Sequence, residues 1–275
     1  DAAGNAGSGA TNSNNSAIAA ISPPAPLVAA QIALAVGETS LVTITFSEAV
    51  SGFGNADLAV ANGTLSAVSS ADGGVTWTAT FTPAASVTDT SNVITLANSG
   101  VQNMAGNPGV GTTTSNNYAI DTLRPTVAIA VADTALLAGE TSLATFTFSE
   151  AVTGFTLADL TVANGALSGL SSSDGGVTWT ATFTPAAGVA DMTNVISLAN
   201  TGIADAAGNA GSGTTDSANY SVSTVRPTVT VALADSALAA GETTGVTFTF
   251  SEAVSGFGNA DITVANGTLD TVTTA

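Results

Sequence analysis

Residues 139–165 read GETSLATFTFSEAVTGFTLADLTVANG, and near-copies begin at Gly37 and Gly241. Each copy lies 102 residues from the next (139 − 37 and 241 − 139). The same interval separates Trp77 from Trp179, Pro83 from Pro185 and Pro125 from Pro227. A period of this length, held without slippage, exceeds the ~20–50 residues of a solenoid unit and marks a tandem array of whole domains. The register divides the chain into the end of one unit (1–22), two whole units (23–124 and 125–226) and the front part of another (227–275). Asp1 then matches Asp205, and Ala275 matches Ser173.

Within the quoted stretch, Leu143, Thr145 and Thr147 alternate with Ala144, Phe146 and Phe148. Downstream, Val177, Trp179, Ala181 and Phe183 alternate with Thr178, Thr180 and Thr182. A period of two is the mark of a strand with one face inward, and β-branched threonine suits the outer face. Further strands are expected over 126–131, 160–163, 166–170, 194–199 and 218–222, with turns over 133–139 and 174–176 and a loop over 185–193. Asn164-Gly165 reads as the type I′ turn of a hairpin, since Asn and Gly tolerate positive φ. Seven short strands in about a hundred residues, with turn signals every 8–12, describe an Ig-like β-sandwich. The expected fold is all-β, tandem Ig-like sandwiches in an extended array, with Trp77 and Trp179 buried at equivalent core sites.

Composition excludes several functions. The formal net charge is −18, from 20 acidic residues against Arg124 and Arg226 alone, with no His or Cys. Nucleic-acid binding rests on Lys and Arg contacts to phosphate, and an anionic lipid surface would repel this chain equally. Without His, Cys or Lys, the usual bases and nucleophiles are missing, and no enzyme activity is expected. A glycan-binding module would need exposed aromatic side chains, whereas most aromatics here alternate with threonine in core-facing registers. The apolar window 17–36 contains Pro23, Pro24 and Pro26 and is in register with the acid-bearing segment 119–138, so it reads as a domain junction and not a membrane span.

The ordered motifs SEAV (149–152), Gly154-Phe155, Ala158-Asp159-Leu160, DGGVTWTATFTP (174–185), DAAGN (205–209) and DTLRP (121–125) resemble the bacterial Ig-like repeats of giant surface adhesins. These are the Bap-like and RTX-type biofilm adhesins exported by type I secretion. The resemblance implies an extracellular rod on a bacterial surface, in which neighbouring repeats of one chain are each other's partners and Ca²⁺ often rigidifies the joints. It also allows self-association in a biofilm matrix. A subunit of an extracellular filament or surface layer would carry the same string of sandwiches, and the sequence does not separate the two.

The acids have a pattern of their own. In an Ig-like sandwich the loops after alternate strands gather at the end where the chain enters. That topology would bring Glu150, Asp159 and Asp205 to the entering linker, which carries Asp121, with Asp174 nearby. Ca²⁺ takes six to eight oxygens, several from carboxylates, so Asp121, Glu150, Asp159 and Asp205 are the candidate ligands. The competing reading is turn chemistry, because Asp and Asn cap backbone groups in turns. For Asp133, Glu140 and Asp191 the turn reading is preferred. At the preceding joint, Ala19 stands in the register of Asp121 and Asn103 in that of Asp205, while Glu48 and Asp57 remain. Loss of both charges together is what a shared ion would lead one to expect, so that joint is expected to bind weakly or not at all and to be looser or differently packed.

Overall fold

The computed structural model describes residues 27–29 and 31–274; the strand expected within 1–22 lies outside them. Among the described residues there are strands and three-residue 3₁₀ turns but no α-helix, and no helix long and apolar enough to cross a membrane. The described residues fall into two compact units. One holds the chain up to Thr126 with Phe148–Phe155 and Ala199–Gly213. The other holds Val127–Thr147, Thr156–Leu198 and residues 214–275.

In the first unit, one sheet runs in the order Leu27–Ala29, Ser40–Thr45, Thr76–Pro83, Gly63–Leu65, with Ser69–Ser70 also paired to Thr76–Pro83. Three smaller sheets are built around Tyr118–Asp121, Ile94–Ala97 and Gln102–Asn103. Alternation puts Val42, Ile44, Phe81, Ile94, Leu96, Tyr118 and Ile120 into one buried cluster. The second unit repeats the pattern 102 residues on, in the order Val127–Val131, Ser142–Phe148, Thr178–Pro185, Gly165–Ser172. Its aromatic pair reproduces the first almost to the degree. Phe81 and Tyr118 meet edge-on at 5.1 Å and 61°, and Phe183 and Tyr220 at 5.0 Å and 63°. Trp77 and Trp179 occupy equivalent positions but are half-buried, not fully buried. Each indole Nε1 donates to a carbonyl of the adjacent turn, Gly74 O or Gly176 O, at 3.1 Å.

Three segments of the second repeat depart from the sequence expectation. The turn at 133–139 contains a strand, Ala135–Leu137, that pairs in parallel with Tyr220–Ser223. The chain leaves one sheet after Val131 and joins the other at Ala135, pivoting where Asp133 Oδ1 accepts from Ala135 N–H. Glu140 Oε2 closes the far side by accepting from Leu137 N–H. Three residues between two side-chain caps are too few to show a period. The loop at 185–193 contains Ala190–Asn194, which pairs antiparallel with Tyr220–Ser223. Its sequence, ADMTN, buries only Asn194, so hydrophobicity gave no signal. Thr214–Asp216 is the third added strand. The second repeat therefore has ten strands where seven were expected.

Asn164-Gly165 is also not a hairpin turn. Leu160–Val162 pairs with Ile196–Ala199, and Gly165–Ser172 pairs with Thr178–Pro185, so the chain crosses between sheets at this point. Asn164 takes φ 53° while Gly165 does not have positive φ. Gly165 is required for space: a Cβ there would lie 2.4 Å from the Phe183 ring. The repeat register carries four of the seven expected strands into 227–275, but among the described residues there only Val229–Leu233 and Val246–Phe250 form strands, and Val229, Val231 and Leu233 stay exposed on that pair.

Several acids are committed to turns. Asp191 Oδ1 accepts from Thr193 N–H and its Oδ2 from Asn164 Nδ2. Asp174 accepts from Thr178 N–H through both oxygens and from Ser172 Oγ. These bonds, led by the Thr178 N–H, hold its carboxyl at about 2, below the ordinary 3.8. Asp72 is held at about 2 in the same way by Thr76. A depressed carboxyl stabilises the fold above its unfolded value and loses that contribution as pH falls through the folded one. Asp174→Ala should therefore lower the thermal midpoint at pH 7, and the deficit should shrink as pH falls from about 4 towards about 2. Thermal denaturation across pH 2–7 measures this; a deficit that is constant with pH would refute it.

Candidate metal centre

Asp121, Glu150 and Asp205 come together within the first unit, each offering an oxygen within 4.8 Å of the others. Asp121 ends the strand Tyr118–Asp121, where the chain leaves the first repeat. Glu150 follows the strand Ser142–Phe148, and Asp205 follows the 3₁₀ turn Asn200–Gly202. Asp205 is buried at 3% exposure, while Asp121 and Glu150 are partly buried. Asp159, the fourth candidate, belongs to the second unit and is spent locally. Its Oδ2 accepts from Thr156 N–H at 2.8 Å and Thr156 Oγ1 at 2.9 Å, capping the 3₁₀ turn Leu157–Asp159.

Asn209 organises the cluster. Its N–H donates to Asp205 Oδ1 and its Nδ2 to Asp205 Oδ2, both at 2.8 Å. The same Nδ2 reaches the carbonyls of Asp121 at 2.8 Å and Leu123 at 3.3 Å, and its Oδ1 accepts from Val36 N–H at 2.6 Å. Gly208, at φ 91°, reverses the chain so that Asn209 points back at Asp205. Arg124 donates through Nη1 to the Ala210 carbonyl on the same loop. Asn209 is 2% exposed, so these bonds are made away from water. Asn209 is not among the candidate ligands named from the sequence, because in DAAGN an Asn reads as a turn residue. The available signal was Asn recurring at 5, 107 and 209, always four residues after Asp or Asn.

Charge is unbalanced here. Glu150 Oε1 is buried with no hydrogen-bond partner, the one such side-chain atom among the described residues. Desolvation, then Asp205, then Asp121 push its carboxyl above the ordinary value of 4.5. Two full charges 4.8 Å apart repel by roughly 3 kcal/mol at an effective dielectric constant of ~20. An orphaned buried oxygen facing two carboxylates fits a hard cation. Oxygens bound to one Ca²⁺ at ~2.3–2.6 Å cannot be more than about 5 Å apart, and this cluster meets that limit. Three carboxylates supply part of the six to eight oxygens; the rest would come from second carboxylate oxygens, carbonyls or water.

The fold and the repeat length define a chain of tandem Ig-like domains. The bacterial Ig-like domain model matches residues 20–120, 121–222 and 223–275, and the chain belongs to that family. Solved structures similar to it include the Escherichia coli adhesin FdeC, at 14% identity and TM-score 0.31, covering 85% of this chain and 76% of that one. The Yersinia pseudotuberculosis adhesin InvE aligns at 19% identity and TM-score 0.29, covering 71% of this chain and 58% of that one. A tandem of titin domains aligns at 6% identity and TM-score 0.25, covering 73% of this chain and 64% of that one. No curated protein sequence matches the chain.

Proposed function

We propose that this chain is an extender segment of a bacterial cell-surface adhesin, displayed outside the cell, in which Ca²⁺ stiffens a joint between repeats. The support for the adhesin reading is the family together with the motif series SEAV, DGGVTWTATFTP, DAAGN and DTLRP; the Bap-like and RTX-type attribution and the link to biofilm rest on that motif resemblance. Support for the ion is one observation, the buried and unpartnered Glu150 Oε1 set against Asp121 and Asp205. In this reading the work is mechanical. Each domain adds length, and a cation ties the linker residue Asp121 to the loops carrying Glu150 and Asp205. Asn209 orients Asp205 for the ion and pins the linker backbone with the same amide.

Small-angle scattering and calorimetry of the full chain, with Ca²⁺ and with chelator, test this. Saturation at ~100 times the dissociation constant should stabilise the folded protein by ~2.7 kcal/mol. Calcium should raise the unfolding temperature and increase the maximum dimension. Asp121→Ala should remove both responses. Wild-type dimensions and unfolding temperature that ignore the chelator would refute the structural ion.

A further inference from the structure

In the first repeat Asn103 stands in the register of Asp205, and the structure shows what its amide does. Asn103 Oδ1 accepts from Ala105 N–H at 3.1 Å and Asn107 N–H at 3.0 Å. Those two donors fix the amide orientation, because an amide oxygen accepts and its NH₂ only donates. Nδ2 is thereby turned towards Glu48 and donates to Glu48 Oε1 at 3.3 Å. Glu48 is the counterpart of Glu150, whose Oε1 has no partner. The local turn is the same in both repeats: Asp205 Oδ1 accepts from Asn209 N–H, as Asn103 Oδ1 accepts from Asn107 N–H. The head groups differ in the atom beyond that bond. In one repeat it is an N–H donor aimed at a glutamate, and in the other a carboxylate oxygen beside one. Asn103 is 1% exposed, so the donor replaces something at a buried position.

We infer that position 103/205 selects the chemistry of this pocket, and that Asn103 is a built-in substitute for the cation. Aspartate makes the glutamate of that repeat cation-dependent, and asparagine satisfies it without one. The glutamate, the turn and the backbone donor at 107/209 are common to both repeats. The first repeat's pocket is therefore indifferent to calcium, not loosened for want of it. An array of such repeats would mix calcium-tuned and calcium-blind positions, set by one residue in each. This rests on the cation reading of Asp121, Glu150 and Asp205, and the experiment separates the two.

The test uses the full chain with Asp205→Asn, the double variant Asp121→Ala/Asp205→Asn, which recreates the residue pair of the first repeat, and Asn103→Asp. Calcium binding is measured by calorimetric titration and unfolding by scanning calorimetry with and without chelator. Wild type binding calcium, with Asp205→Asn losing at least tenfold in affinity, is expected. Both Asp205→Asn variants should unfold at the same temperature with or without chelator, and at or above chelated wild type. Asn103→Asp should unfold below wild type in chelator. If wild type binds no calcium, the parent reading fails, while the amide substitution is still judged by the unfolding order in chelator. The inference is overturned if the double variant unfolds below chelated wild type, if Asp205→Asn keeps wild-type affinity, or if Asn103→Asp is neutral.

Discussion

Truncating Phe183 to alanine should destabilise the second repeat by about 3–5 kcal/mol, the range for deleting a large buried aromatic. Phe183 is fully buried and lies edge-on to Tyr220, so the loss combines transfer free energy, a cavity and an aromatic contact. The site is poorly able to collapse. Gly165 approaches the ring so closely that even a Cβ would lie within 2.4 Å, and the sheet-crossing corner beside it is held by its own hydrogen bonds. For a domain with the usual 5–15 kcal/mol of stability, this removes a large share. Phe81→Ala should act on the first repeat by a similar amount, because its ring meets Tyr118 in the same geometry. Chemical denaturation of each variant, followed by far-UV circular dichroism, provides the measurement. A loss under about 1 kcal/mol would show that the ring is not the centre of the core.

The second large effect should come from a polar residue. Asn194→Ala is expected to cost roughly 3 kcal/mol, since each buried polar group left unpaired costs ~1–3 kcal/mol. Asn194 Nδ2 donates to the carbonyls of Tyr220 at 3.1 Å and Asp191 at 3.1 Å, and its Oδ1 accepts from Asn164 Nδ2 at 2.7 Å. It thereby joins the strand Ala190–Asn194, the last strand and the sheet-crossing corner. Tyr220 contributes its hydroxyl to the same corner by donating to the Ala163 carbonyl. Alanine would strand the Tyr220 carbonyl in a buried position while leaving Asn164 its bond to Asp191. The register of this strand pair shifts between Asp191 and Asn194, and Asn194 Nδ2 supplies a side-chain donor to the Tyr220 carbonyl at that irregularity. Hydrogen exchange should show the protection loss concentrated at 163–165 and 190–194; a uniform loss would contradict the proposed clip.

The sequence by itself determined the tandem organisation, the strand class and the inward faces of the long strands. A 102-residue period and a two-residue alternation are properties of chain order, readable without knowing which strand lies beside which. It also determined that a hard cation could meet only carboxylate, hydroxyl or amide side chains, since His and Cys are absent. Tertiary structure alone decided the rest. Asn164-Gly165 suits a hairpin as well as a corner, because Asn and Gly tolerate the two positive φ values of a type I′ turn and Asn alone the single one used here, and the choice between them lies in strands more than ten residues away. Ala190–Asn194 is a strand because Tyr220–Ser223 offers it an edge, not because of its own polarity. Of four acids expected to converge, Asp159 found nearer donors on Thr156, while Asp121, Glu150 and Asp205 met across 84 residues of chain (205 − 121). That Asn103 donates to Glu48 follows from two backbone N–H groups fixing its amide oxygen, a fact of geometry that no residue name carries.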